Sequence, residues 1–514
     1  MKVETLCEKI VKIARIALYA IACSFLLWLS FEALILGNKW RSFGEGVGMT
    51  LLRVLVLMAA VVVSLCLGGV LEKLFAKNTK LESIVVTCVA AVFGLCNIWW
   101  VSKVPYVIDG DQAIIWQNAV LNLQGDFTMF AKGGQMFIYP QQQGLSFLYE
   151  LLFGLTGSIS YKMIGYVNAC LAPITMIFGY DVVKMSFGKG AAVRFLPLML
   201  LCLPYTIYAP YVYGDIPSIA LTSVLMWAIL KALQLGKKWY GVLACIIAAL
   251  ALLCRMNVWI VFIGIVIAVL CHALQQKNWK PLVLAVAVVL SASLCMTGLK
   301  AYNASRANEP VSKGMPSVLW MAMGLQYSEW GAGYYNDYSK RTFEEVGFDR
   351  ELASGIAKTE IKSRIHIFLS DLYQARLFFG QKMKSQWHDS LFDATDATKT
   401  FGETQVSDLP KIVASIYHGA GFLTIKQISE YMLCVIYVFA LIGVLKRIRE
   451  KDSLLKDIPL IIFVGGFLFS IIWEAKARYV LPYYVLLHMY AALGLSEVTR
   501  GIQNGIFNSK VRKK

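Results

Sequence analysis

The amino-acid sequence predicts an all-α polytopic membrane protein, and three observations carry that expectation. Of the 514 residues, 58% are hydrophobic and only 16% are charged, with a mean hydropathy of +0.60. That composition is too apolar for a soluble globular chain. Apolar runs of bilayer-spanning length recur from end to end. The lysines and arginines behind the formal net charge of +17 stand in short clusters between those runs. There they read as topology signals and lipid headgroup contacts, not as a nucleic-acid surface.

Taken in order, Met1–Arg15 is a basic amphipathic leader, and Ile16–Leu36 follows it as a signal anchor with no small-residue cleavage site. Spans at Met49–Leu71 and Leu81–Val101 flank the basic loop Glu72–Lys80. Residues 103–161 then form a first external loop. Inside it Leu145–Leu155 reaches about half of the ~20 residues a spanning helix needs and is expected to lie outside as a juxtamembrane helix. Further spans are expected at Met163–Val183, Phe195–Tyr211, Ile216–Leu230, Tyr240–Leu253, Val258–Leu274 and Leu282–Leu299. After a long polar region come Tyr431–Leu445, Ile458–Trp473 and Val480–Leu495. The basic clusters at Lys184 to Arg194, Lys231 to Lys238, Lys277 and Lys280, and Lys446 to Lys451 all then face the cytoplasm. About twelve spans result, with both termini cytoplasmic in a plasma membrane.

The chain divides accordingly into two N-terminal transmembrane helices (1–80), a transmembrane module with the first external loop (81–299), an extracytoplasmic region (300–426), and C-terminal helices with a basic tail (427–514). Region 300–426 is too long for an ordinary loop and is expected to be an acceptor-side lid or small domain. Within it, a helix is expected to start after an Asp349 cap and run toward Phe368. The twelve cysteines fall within or beside apolar runs, lack the spacing of a zinc or redox site, and read as small core residues.

On this topology the unusual polar residues near helix ends share one side: Asp109 and Asp111, Lys132, Tyr139, Tyr213 and Asp215, Arg255 and Asn257, then Glu474, Arg478 and Tyr479. Charged side chains at such depths face a cavity or one another, which points to a single polar chamber. Carboxylates accept a proton from a hydroxyl nucleophile, while Arg and Lys bind a phosphate and stabilise the charge it gains on leaving. The residue types therefore describe transfer of a group from a phosphate carrier.

Each residue also has a plainer role open to it. Asp109 and Asp111 have the form of a turn or helix cap before Gln112–Leu123, and Asp215 that of a cap before Pro217. Arg255 and Lys132 suit headgroup snorkelling, and Arg478 stands four residues from Glu474, the spacing of a helical ion pair.

The order of motifs resembles a known family. An Asp-bearing external loop precedes Tyr139-Pro140, then Tyr213-Gly214-Asp215 with Pro217, Arg255 with Asn257, and Arg478-Tyr479 with Pro482. This series, spread over most of Leu81–Leu495, is similar to bacterial polyprenyl-phosphate-dependent glycosyltransferases of the GT-C fold. It is closest to the family 39 branch of protein O-mannosyltransferases and the lipid A aminoarabinose transferase. The resemblance implies Asp111 as general base, with Asp109 second. It assigns the donor phosphate to Arg255, Lys132 and Arg478, and further substrate contacts to Tyr139, Tyr213, Asp215, Asn257, Glu474 and Tyr479. Two positions depart from the family: Gln112 stands where the mannosyltransferases often carry an acid, and Tyr139 where the aminoarabinose transferase carries a lysine.

The implied partners are a polyprenyl-phosphate-linked sugar, a glycan, lipid or protein acceptor, and membrane lipids, with no nucleic acid. No cofactor is implied for this branch, although oligosaccharyltransferase-like relatives hold a divalent ion on acidic loop residues, as Asp109 and Asp111 would. The alternatives are a polytopic transporter or lipid-linked glycan flippase, and an oligosaccharide ligase or polymerase.

Overall fold

The computed structural model describes residues 6–36, 47–450 and 452–512. The start of the leader, Lys451, Lys513 and Lys514 lie outside the described residues. The protein is an all-α polytopic membrane protein. Its one described ladder is a two-residue hairpin, Tyr327–Ser328 against Gly331–Ala332, with Tyr327 opposite Ala332.

Among the described residues, nine helical segments combine spanning length with apolar composition: Leu6–Ile35, Thr50–Lys77, Thr79–Lys103, Tyr161–Phe187, Asp215–Leu235, Val258–Gln276, Lys280–Ala307, Ala420–Ile448 and Leu454–Ile472. The other expected spans depart from that form, each for a local reason. Tyr240–Leu253 becomes the 17-residue helix Lys238–Cys254. Phe195–Tyr211 is broken: helix Lys189–Leu200 stops, the short helix Leu203–Ile207 follows, and the backbone then runs irregularly toward Asp215. Pro197, Pro204 and Pro210 each remove an amide donor there. Val480–Leu495 opens the 32-residue helix Leu481–Arg512, whose first half is buried against neighbouring helices on nearly every side.

The main core lies where Leu481–Arg512 crosses Ala420–Ile448 and Lys189–Leu200. Polar staples tie this core to the rest of the bundle. The fully buried Asp457 accepts from Arg447 Nε and Nη2, each at 3.0 Å, from Tyr19 at 2.9 Å and from Tyr490 at 2.6 Å. Lys184 and Lys189 both pair with the buried Glu82. Arg194 pairs with Glu72 at 3.0 Å and donates to Ser64 and Thr499. These cations, expected as loop signals, are thus bound up in ion pairs between helices.

Only some cysteines are core residues. Cys202, Cys254, Cys271 and Cys434 are buried, whereas Cys66, Cys88, Cys96, Cys170 and Cys295 stand on exposed helix faces.

Leu145–Leu155 lies within the 14-residue helix Gln143–Thr156, shorter than a span. The expected divisions at 299 and 426 fall inside the continuous helices Lys280–Ala307 and Ala420–Ile448, so two membrane helices carry region 300–426 directly. The helix after Asp349 forms as expected, over Arg350–Ser370, with the Asp349 carboxylate accepting from the amides of Glu351 and Leu352. A small apolar cluster of Ile138, Met315, Leu319, Phe343 and Ala353 seats this region on the first loop. The Met315 amide closes the contact on the Ile138 carbonyl at 2.9 Å.

Candidate active site

The first loop turns at Gly110, whose φ of +48° is a left-handed conformation suited to glycine, and helix Gly110–Leu123 starts there. Asp109 occupies the cap position but makes no side-chain cap bond. Its carboxylate accepts instead from Thr400 Oγ1 at 2.8 Å and from Gln112 Nε2 at 3.4 Å. Gln112 is buried, and its Oε1 accepts from Tyr106 Oη at 2.7 Å and from the Val212 amide at 2.9 Å. The residue that departs from the family pattern therefore fastens the first loop to the segment before Asp215. Asp111, in the first helical turn, is exposed.

Two close backbone approaches bring the loops together at the end of helix Lys238–Cys254. A Cβ on Gly144 would lie 2.5 Å from the Leu253 carbonyl oxygen, and one on Gly214 would lie 2.0 Å from that of Cys254. Only glycine fits at either contact. The Gly214 contact sets Asp215 beside Arg255, which pair at 2.6 Å with both side chains buried. Asp215 is the first residue of its helix and binds Arg255 instead of capping. Asp215 Oδ1 and Arg255 Nε have no hydrogen-bond partner among the described residues.

The third component is the irregular segment between helices Ile458–Ile472 and Leu481–Arg512. The Ala475 amide donates to the Gly333 carbonyl at 2.7 Å, and the Ala477 amide to Asp393 Oδ2 at 3.0 Å. Because Glu474 and Arg478 are separated by extended backbone at Lys476, the helical ion pair between them does not form. Arg478 is 4% exposed, its Nε has no partner, and no carboxylate among the described residues pairs with it. Its guanidinium lies 5.2 Å from the ring centre of Tyr211, 5.0 Å from that of Tyr213 and 5.3 Å from that of Tyr479. Arg255 lies 5.4 Å from the rings of both Tyr213 and Tyr479. Two arginines thus share two tyrosines, an arrangement in which ring quadrupoles offset part of the repulsion between the cations.

Burial pushes the Glu474 carboxyl up to about 7, with Asp111 adding to the rise while Lys476 and a hydrogen bond with Tyr479 oppose it. Burial pushes the Lys382 ammonium down to about 7, with Glu474 opposing, and that ammonium donates to the Gly324 carbonyl. Tyr139 is raised by burial and then by Asp111, which puts the phenol within electrostatic reach of that carboxylate. Its ring packs at 6.0 Å on Trp320, which stacks on Trp473 at 5.7 Å.

The structure therefore brings together Tyr213, Asp215, Arg255, Arg478 and Tyr479, with Glu474 on the same segment as Arg478 and the Asp111 carboxylate within electrostatic reach of Glu474, Tyr139 and Tyr213. Lys132 is not part of the cluster. It is exposed, and its ammonium lies 5.9 Å from the Phe348 ring. Asn257 is half-buried at the start of helix Val258–Gln276 and makes no side-chain cap bond. Sequence reasoning missed Lys476, Lys382 and Asp393. Lys476 carried a signal, being a second cation inside Glu474–Arg478, whereas Lys382 and Asp393 are distant in sequence and carried none. Among the described residues, no three His, Cys, Asp or Glu side chains gather as a metal cluster.

Comparison with known proteins gives one family match. Residues 144–299 match the model of the family described as dolichyl-phosphate-mannose-protein mannosyltransferase. No curated protein matches. Among solved structures, the Archaeoglobus fulgidus oligosaccharyltransferase tethered to an acceptor peptide matches at 13% identity and TM-score 0.41, over 82% of this chain and 50% of that one. The A. fulgidus oligosaccharyltransferase AglB, with an inhibitory peptide and a dolichol-phosphate, matches at 14% and 0.38, over 85% and 52%. ArnT from Cupriavidus metallidurans, bound to undecaprenyl phosphate, matches at 15% and 0.33, over 85% and 81%. The chain spans about half the length of the archaeal structures. Over residues 144–299, then, it is similar to the dolichyl-phosphate-mannose-protein mannosyltransferases, and that stretch carries the Tyr213, Asp215 and Arg255 side of the site.

Proposed function

We propose that the protein is a GT-C-type membrane glycosyltransferase that moves a sugar from a polyprenyl-phosphate donor to an acceptor hydroxyl on the extracytoplasmic face. The observation that carries this reading is Arg478: a buried guanidinium ringed by tyrosines, with no carboxylate partner among the described residues. An unpaired buried cation is strongly unfavourable unless an anion joins it. Arg255 is already compensated by Asp215, so its role is to hold Tyr213 and Tyr479, and the phosphate falls to Arg478 with Lys476. The family match over 144–299 supports the same reaction class.

Asp111 is the base. Asp109 is engaged by Thr400 and Gln112, whereas Asp111 is exposed at a helix start and its charge reaches Glu474 and Lys476. The acceptor hydroxyl gives its proton to the Asp111 carboxylate as its oxygen bonds to the anomeric carbon. The bond from that carbon to the phosphate oxygen breaks, its electron pair stays on the phosphate, and polyprenyl phosphate leaves with inversion. Arg478 and Lys476 stabilise the charge gained.

Binding of undecaprenyl phosphate to the purified protein in nanodiscs tests the reading. Saturable binding is expected, weakened at least tenfold by Arg478→Ala. Absence of binding by the folded wild-type protein would turn the assignment toward the transporter class.

A further inference from the structure

Region 300–426 touches the segment that carries Arg478 through Gly333 and Asp393. Phe392 and Asp393 are consecutive non-glycine residues with φ of +51° and +60°, a left-handed corner that L residues adopt only where the surroundings impose it. Here the surroundings are explicit. Tyr208 Oη donates to the Phe392 carbonyl at 2.6 Å, and the Phe392 ring lies 4.7 Å from that of Tyr484. The Asp389 carboxylate accepts from the amides of Leu391 at 3.1 Å and Asp393 at 2.9 Å. The corner aims Asp393 Oδ2 at the Ala477 amide, 3.0 Å away and one residue before Arg478.

We propose that Asp393 is a positioning residue for the anion seat: from a strained corner docked on Tyr208, its carboxylate oxygen fixes the backbone at Ala477 and with it the placement of Arg478. This rests on the reading of Arg478 given above. The segment carrying Arg478 is irregular, so its amides need acceptors from elsewhere. Ala475 and Ala477 find them at Gly333 and Asp393, both in region 300–426. The Asp393 carboxyl is raised by burial and by Asp389, and Lys476 pulls it back. The charged groups facing it are therefore Asp389, Asp396 and Lys476.

The test uses the full chain in nanodiscs with undecaprenyl phosphate as probe, comparing Asp393→Ala, Asp393→Asn and Arg478→Ala. Asp393→Ala should weaken binding about tenfold, while Asp393→Asn stays within about threefold of wild type because its amide oxygen still accepts the Ala477 N–H. Unchanged affinity in Asp393→Ala, or an equal loss in both variants, overturns the proposal. Wild-type binding that Arg478→Ala leaves intact overturns the reading of Arg478 instead, and this inference with it.

Discussion

Replacing Asp111 by asparagine keeps the size of the side chain and removes its basicity. Transfer should fall by at least a hundredfold while undecaprenyl phosphate still binds, and a variant with ordinary turnover would remove Asp111 as the base. Glu474 predicts a pH dependence whose sign follows from its neighbours. Its carboxyl, raised to about 7, is neutral below that pH and anionic above it. Lys382, lowered to about 7, loses its positive charge over the same interval. Both changes make the chamber more negative as pH rises, which disfavours the anionic phosphodiester proposed as donor. Donor KM should therefore rise between about pH 6 and 8, and Glu474→Gln should flatten most of that rise. A wild-type KM that is flat across this range would contradict it. At this scale the sequence was legible where a residue type was out of place near a helix end, as with Arg478 and Asp215. It could not place Lys132, because an exposed lysine and a seated one look alike in sequence, and the structure sets it beside Phe348. It had no access to Asp393, whose role depends on a corner that only tertiary contacts impose.

Three loops reach one point because helix ends approach at backbone distance, and Gly214 is the tightest of these approaches. Gly214→Ala would place a methyl 2.0 Å from the Cys254 carbonyl oxygen and force Tyr213 and Asp215 away from Arg255. Activity should drop by about two orders of magnitude or more, with thermal stability falling too. Activity near wild type would mean that this contact does not hold the site together. Element existence was easy to read for the long apolar runs, since twenty such residues leave few alternatives to a helix. The broken run at 195–211 was misread because apolar composition outweighed three prolines. Region 300–426 resisted for another reason: part of it seats on a local core shared with the first loop, and composition alone does not point to that shared seat.

Across the whole molecule, Asp457 joins the first helix to the last ones through Tyr19, Arg447 and Tyr490. Asp457→Ala would remove the buried acceptor of Arg447 Nε and Nη2, leaving that guanidinium to Glu450 and Asp452, and would release both tyrosines. A loss of roughly 3 kcal/mol is expected, read as a lower melting temperature in detergent, and an unchanged melt would show that helix packing alone suffices. The order in which the site is supplied along the chain has its own meaning. The proposed base lies at 111 and the Asp215–Arg255 pair follows, but Arg478 comes only between helices Ile458–Ile472 and Leu481–Arg512. A ribosome delivers these parts from the N-terminus onward. On the proposed reading, a chain still being made therefore has its proton acceptor before it has a seat for the leaving group. The nascent protein, on that reading, is inert toward its lipid donor until helix Leu481–Arg512 is in place.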